Sequence, residues 1–461
     1  MGVPHEPPEA QDVRASDLLQ THPSGKKYIP MPRGPHSVGY VDVMTEGDPS
    51  VGTFFRLYYP TNENSMDQHE RWPRWIYEDT YISGTLNFLK AVSYRWPSWA
   101  PKEEYQNHAL VMKLTKLTPR WGFKKGFKQL LGNIYTPIIE NAPIKSDESH
   151  SKWPVVVFSH GLGCNRFMYS QVCYDMASYG FIVAATEHRD GSGCLSYYLE
   201  SSKDNDGNLS SKKVRHCKVK RDENEYELRN KQVHHRAKEV TRTLDLLLQM
   251  NNGEDVHNVF KKRKQSKQDD FLVNLSQFKN LMNFSSPVIS GHSFGGATTV
   301  LTLMHDKRFK IGMALDAWLF PLRDENILLN DDIPILFINT EKFLNSRNLK
   351  KMSLLKHKGN GEDKKSGERT FFWIRGSVHQ NQLDMPFLLK NDIVKKHLGA
   401  YSKTCPETVM NINNKLMAQF LFKELGLDHP SNAALNEELQ KYSHLTVKDL
   451  GLNENTHTTE W

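Results

Sequence analysis

The chain has 461 residues, of which 38% are hydrophobic and 25% charged, and its formal net charge is +7. That length supplies one large domain or two ordinary ones, and an ordinary charge fraction over a sizeable apolar content excludes global disorder. The basic residues gather in short runs at 212–213, 218–221, 261–264 and 364–365. These read as solvated loops, or more sharply as weak attraction to anionic lipid surfaces; with no nucleic-acid motif beside them, no nucleic-acid partner is expected.

Five cysteines (Cys164, Cys173, Cys194, Cys217 and Cys405) match no zinc or disulfide spacing, which fits a reducing compartment. No apolar run reaches signal-peptide or transmembrane length, so a cytoplasmic protein, at most peripheral to membranes, is expected. Gly2 invites N-myristoylation, but Glu6 stands where that pattern wants Ser or Thr.

In chain order, residues 1–35 are rich in Pro, His and charge and read as a mobile leader. A strand is expected over 52–59 (GTFFRLYY), then helices near 81–92 and 108–117. Residues 121–131 (WGFKKGFKQLL) alternate basic and apolar groups. PVVVFS at 154–159 and FIVAA at 181–185 are apolar runs of the kind buried on both faces of a parallel sheet, with helical spacing over 168–179 between them. A long helix follows over 225–250. PVIS at 287–290 leads through a Gly-rich turn into a helix over 297–304. IGMAL at 311–315, PILFI at 334–338 and TFFWI at 370–374 complete six runs.

Strands alternating with helical patterns predict an α/β-hydrolase fold: a mostly parallel, doubly wound sheet flanked by helices. The expected organisation is a single catalytic domain over 36–430, with polar surface insertions near 201–223, 251–270 and 345–368, and a C-terminal extension over 431–461.

Gly291-His292-Ser293-Phe294-Gly295 is G-x-S-x-G between a strand-like and a helix-like run, the context a nucleophile elbow requires. The turn is so sharp that side chains at 291 and 295 would collide, so both positions must be glycine. Ser293 is therefore the candidate nucleophile, at a helix N-terminus that favours developing negative charge. Two backbone donors must meet the oxyanion. One is the N–H of Phe294. The other is assigned to Leu162 in the Ser159-His160-Gly161-Leu162-Gly163 loop after the PVVVFS run. His160 precedes the serine and reads as a loop-ordering residue rather than a base.

The partners of the serine should follow it as acid, then histidine. Asp316 ends the IGMAL run and Glu341 follows the PILFI run; Asp316 is favoured because it abuts its strand directly, and Glu341 remains the alternative. Asp331 and Asp332 precede their strand, at the wrong edge. His379, after the TFFWI run, is the expected base. His357 lies in a polar insertion, and His292 is expected to pack beneath the elbow. Acyl transfer through an acyl-enzyme needs no metal or other cofactor, and no metal-ligand spacing is visible.

At GHSFGGAT, LDAWLFPL, FSHGLG, EHRD, INTEKF and GSVHQNQ, with GTFFRLYYP near the start, the sequence resembles the platelet-activating factor acetylhydrolases over about 35–426. The resemblance implies a calcium-independent phospholipase that removes short or oxidised sn-2 acyl chains, with the triad Ser293, Asp316 and His379. It also implies Leu162 and Phe294 as oxyanion donors, and the intracellular branch of the family. Such enzymes meet a phospholipid substrate at a lipid surface; residues 121–131 and 385–389 (MPFLL) are the candidate interfacial patches, with burial in the core as the other reading. The oligomeric state is not legible. The rivals are a general carboxylesterase or transacylase using the same residues, and an inactive hydrolase fold used for protein binding.

Overall fold

The valine-rich runs become the centre of a ten-stranded sheet in the computed structural model, which describes residues 18–76, 78–94, 132–146, 152–201, 209–220, 222–260, 274–356, 367–389 and 391–449. The strands are β1 (Gln20–Thr21), β2 (Lys27–Tyr28), β3 (Ser37–Met44), β4 (Phe54–Thr61), β5 (Ile134–Tyr135), β6 (Ile139–Glu140), β7 (Trp153–Ser159) and β8 (Ile182–Thr186). They continue with β9 (Leu195–Ser201), β10 (Leu209–Arg215), β11 (Met282–His292), β12 (Ile311–Leu315), β13 (Ile335–Thr340), β14 (Arg369–Ile374) and β15 (Thr446–Val447). The main sheet runs β15-β14-β13-β12-β11-β7-β8-β4-β3-β6. From β8 across to β14 all pairings are parallel, whereas β4 is antiparallel to both its neighbours and β15 is antiparallel to β14. This is the expected α/β-hydrolase class.

Side chains alternate between the two faces of the sheet. Val156 and Phe158 of β7 join one core, with Val183, Met313 and Leu336. Helices Ser170–Ser178 and Pro406–Glu424 contribute to that core. Val155 and Val157 join the other core, with Ile289, Ala314 and Phe337, and helices Glu225–Asn252 and Phe294–His305 cover it. Burial on both faces is why these strands read as continuous apolar runs. Asn224 caps the long helix by accepting the Tyr226 N–H, and Gly253 ends it at φ 76, where a left-handed residue closes the last turn.

The winding fixes where a ligand can sit. From β7 the chain crosses to β8 on one side, and later returns to β11 on the other. Neighbouring loops therefore diverge at the C-terminal ends of β7 and β11, leaving the crevice that open α/β sheets use for binding.

Several expectations change. The leader ends earlier than residue 35, because Leu18 and Ile29 are buried in the core and Arg33 Nη1 pairs with Asp175 at 2.7 Å. Residues 1–17, with Gly2 and Glu6, lie outside the described residues, as do 108–117, 121–131 and His357. Strand β3 was not expected: Asp42 breaks its apolar pattern, yet it is buried because Arg56 clamps it at 3.0 and 2.7 Å and Arg166 adds a third bond at 3.0 Å. The insertion near 201–223 supplies β10, which pairs with β9. The one near 251–270 completes the long helix and buries Val259, and the one near 345–368 contains helix Ser346–Ser353, with Leu349 and Met352 in the core. The stretch beyond 430 adds helix Ser431–Lys441 and β15 to the fold. In MPFLL, Phe387, Leu388 and Leu389 are buried, so that patch is core rather than interface.

Asp384 ties the loop after β14 to the rest of the domain. Its carboxylate accepts the Trp75 indole N–H at 2.8 Å and the Ser170 and Gln171 N–H groups at 2.9 and 3.1 Å, and burial pushes its pKa up to about 7. Asp384→Leu would leave three buried donors unpaired and should destabilise the fold by about 3 kcal/mol or more, read by chemical denaturation.

Candidate active site

A single residue separates β11 from helix Phe294–His305, and that residue is Ser293. The turn forces it to φ 57 and ψ −114, a conformation L-residues rarely adopt. A Cβ on Gly291 would stand 2.3 Å from the Gly295 carbonyl oxygen, and one on Gly295 would stand 1.9 Å from that of Ser159. Both glycines are thus required by contact with backbone. Ser293 donates its N–H to Leu315 O at 2.9 Å and accepts the Trp318 N–H at 2.9 Å, so the strain is held from both sides. The serine opens the helix, which places the Phe294 N–H among the first-turn donors that helix geometry leaves unpaired.

The loop after β7 lies against this elbow: a Cβ on Gly161 would be 3.3 Å from Ser293 Cβ. Within the loop, Gly161 donates its N–H to the Tyr169 hydroxyl at 3.1 Å and Gly163 donates to Ser192 O at 2.8 Å, with the Leu162 peptide between them. His160 orders the loop. Its Nδ1 faces the Gly161 carbonyl at 2.8 Å and its Nε2 faces the His188 N–H at 3.2 Å. Those partners require the neutral ring with the proton on Nδ1, and burial together with Arg236 holds the pKa well below its ordinary value.

Asp316 follows β12 directly, fully buried and at φ 40. Its carboxylate accepts the Thr340 N–H and Thr340 hydroxyl, both at 2.6 Å, and faces His379 Nδ1 at 3.0 Å. Burial pushes Asp316 up, but three donors converge on it, which favours the ionised form. Burial pulls the His379 pKa down, which favours the neutral imidazole. His379 opens the short helix His379–Gln382, anchored by Gln382 Nε2 on Ile338 O at 3.0 Å. Its ring stacks on Phe343 at 4.0 Å and packs against His292 at 4.4 Å. Glu341, the alternative acid, instead accepts the Gly376 N–H at 2.6 Å and shapes the loop that leads to His379.

His292 is buried as expected, but its ring sits beside His379 and its Nδ1 meets the Tyr169 hydroxyl at 2.8 Å. Among the described residues, ligand atoms of His292, Asp316 and His379 lie within 4.8 Å of one another, close enough to hold a metal ion. These residues are 24 and 63 positions apart, so no sequence spacing signals the grouping. Thr340, Tyr169 and His188 were also missed. Thr340 and His188 end or follow buried strands as ordinary polar residues, and only the fold turns them inward. His188 in EHRD links Ser159 Oγ at 2.7 Å to Glu239 at 2.9 Å.

A family model described as platelet-activating factor acetylhydrolase, isoform II, matches residues 21–96 and 93–441. A platelet-activating factor acetylhydrolase of Gallus gallus is 35% identical over 405 residues, covering 87% of this chain and 84% of the relative. Another, of Bos taurus, is 36% identical over 404 residues, covering 87% and 78%. The chain belongs to the platelet-activating factor acetylhydrolase family. As a member of that family it is a carboxylic ester hydrolase of the phospholipase/acetylhydrolase type. Among the described residues no helix is long and apolar enough to cross a membrane, and all five cysteines are free thiols.

Burial holds the His292 pKa well below 6.5, with the adjoining His379 adding to the effect. Unfolded, the same ring takes a proton near its ordinary value, so lowering the pH favours the unfolded state at this residue, and its contribution to stability is lost below 6.5. His292→Gln removes that linkage. Relative to the wild type, the variant should gain about 1.4 kcal/mol per pH unit on acidification below pH ~6.5, measured by urea denaturation across that range.

Proposed function

We propose that the protein hydrolyses short or oxidised sn-2 acyl chains of platelet-activating factor and related glycerophospholipids through an acyl-enzyme on Ser293. The observation that carries this reading is the contact of His379 Nδ1 with the Asp316 carboxylate at 3.0 Å, with the His379 ring packed 4.4 Å from that of His292, the residue that precedes Ser293 in the chain. With Nδ1 turned to Asp316, proton exchange falls to Nε2. His379 takes the Ser293 proton as the hydroxyl oxygen attacks the ester carbonyl. Asp316 orients the ring and stabilises its charged form. The N–H groups of Leu162 and Phe294 receive the negative oxygen of the tetrahedral intermediate. The leaving lysophospholipid alcohol takes the proton from His379, and water then attacks the acyl-serine by the same proton relay. Each of these steps is carried by protein groups, with no cofactor.

Contact with a lipid surface is assigned to the segment after the buried MPFLL helix. Ile393 is 66% exposed and Val394 42% on helix Asp392–His397, and Tyr401, 42% exposed, carries Lys396 Nζ 4.5 Å from its ring centroid. Exposed aliphatic groups beside lysine suit shallow insertion at an anionic headgroup layer. Five free thiols support a reducing, cytoplasmic setting.

A fluorophosphonate probe should label the wild type and not Ser293→Ala, and Asp316→Asn should lower kcat by about 10⁴-fold. Hydrolysis across a ladder of sn-2 chain lengths should fall steeply from acetyl to long unoxidised chains; turnover confined to soluble aryl esters would point instead to a general esterase. Ile393→Glu should weaken retention on anionic vesicles in a flotation assay while the melting temperature is kept. Unchanged retention would remove this segment from the lipid interface.

A further inference from the structure

Behind the loop after β7 stands a guanidinium that takes no direct part in the ester chemistry. Arg236 is fully buried on the helix Glu225–Asn252. Its Nη1 donates to the His160 carbonyl, and its Nη2 reaches the Gly161 carbonyl at 3.5 Å. Its Nε and Nη2 donate to Ser192 Oγ at 2.8 and 2.7 Å, and Nε faces Asp190 Oδ2 at 3.3 Å. Its carbon centre lies over the Phe294 ring, 4.3 Å from the centroid. One flat cation therefore touches the loop that carries Leu162 and the ring of Phe294 itself.

We propose that Arg236 is a positioning residue that aims both amides of the oxyanion hole. The proposal rests on the assignment of Leu162 and Phe294 made above and deepens it. The Gly161 carbonyl and the Leu162 N–H belong to one peptide unit. That unit is planar and trans, so the two groups point in opposite directions. Holding the oxygen from behind, with His160 Nδ1 at 2.8 Å and Arg236 Nη2 at 3.5 Å, sets the direction of the N–H in front. Donation to the carbonyl also polarises the amide and strengthens its N–H as a donor. The preceding peptide is fixed at both ends, its carbonyl by Arg236 and its N–H by the Tyr169 hydroxyl at 3.1 Å. On the other side, contact of the guanidinium with the Phe294 ring couples the first residue of the nucleophile helix to the same group. A lysine would keep the charge, but a point charge on a flexible stem cannot span two carbonyls, a hydroxyl and an aromatic face.

The competing account is that Arg236 only balances Asp190 and supports the fold. Two variants separate the accounts: Arg236→Lys, which preserves charge, and Ser192→Ala, which removes the hydroxyl that orients the guanidinium. For each, kcat and KM on a short-chain ester are measured, together with inhibition by a trifluoromethyl ketone whose tetrahedral adduct places an oxyanion in the hole, and the melting temperature. Arg236→Lys should lower kcat by about tenfold or more with KM nearly unchanged, and weaken the ketone by the same factor. Ser192→Ala should do the same to a smaller degree. Folded variants that keep wild-type kcat and ketone affinity, whatever their melting temperature, would overturn the proposal; if Arg236→Lys does not fold, Ser192→Ala decides alone by the same criterion. Fluorophosphonate labelling of the wild type distinguishes the underlying reading: no labelling at Ser293 overturns the nucleophile assignment and this proposal with it, whereas labelled wild type with unaffected variants overturns this proposal only.

Discussion

Everything in the site depends on how little room separates β11 from the helix that follows it. One residue makes the turn, and the carbonyls of Ser159 and Gly295 close in so tightly that neither flanking position tolerates a side chain. The consequence is a serine in a strained backbone conformation at a helix N-terminus. Strain of this kind persists only where the surroundings over-determine it. Here they do: Ser293 is tied to the next strand and its loop through Leu315 and Trp318, and Asp316, on that same loop, is the second residue held at positive φ in the site. The two strained residues brace one another through β12.

The second constraint is electrostatic. In the proposed triad, a base must stay neutral and an acid must stay ionised while both are withdrawn from water. Burial acts on both against charge, and what separates them is the hydrogen-bond inventory. Asp316 receives two donors from Thr340 as well as His379, while the His379 ring packs between an aromatic neighbour and a neutral histidine. Burial and hydrogen bonding divide the groups in the same way in the layer behind the loop after β7. His160 and His188 are held neutral by burial, whereas Glu239, with two histidines and the Arg189 backbone around it, is pulled below the usual carboxylate range. Charged groups in that layer are paired, which is the condition for burying them at all.

Much of this was legible in the chain, for identifiable reasons. Strands buried on both faces must be apolar throughout, so β7, β8 and β11 to β14 announced themselves, and the G-x-S-x-G turn carries its own steric rule. Asp316 and His379 were expected to meet because each follows a buried run at the same edge of the sheet, and the fold brings His379 Nδ1 to 3.0 Å from the Asp316 carboxylate. What escaped was whatever depends on partners far away in sequence. No strand was placed over β3, where Asp42 interrupts the apolar pattern and is buried only because Arg56 and Arg166 pair with it. The apolar MPFLL segment looked suited to lipid, since a short apolar run cannot reveal whether other helices cover it. Thr340, Tyr169 and Arg236 have no local signature, because their roles are defined by what faces them across the fold.

The placement of these hidden residues follows from the topology. At the switch between β7 and β11 the sheet offers two adjacent strand ends whose loops diverge, so Ser293 and the loop that carries Leu162 can face each other without either loop being long. Short loops are stiff, but they cannot supply their own second layer. The long helix Glu225–Asn252 packs over this junction and provides that layer from one buried face, with Arg236 behind the loop and Glu239 holding His188 one turn on. Its polar residues interrupt an otherwise apolar face, which is a cost in packing that a purely structural helix would not need to carry. The arrangement makes sense if the aim of two backbone amides matters more than the local stability of the helix that aims them.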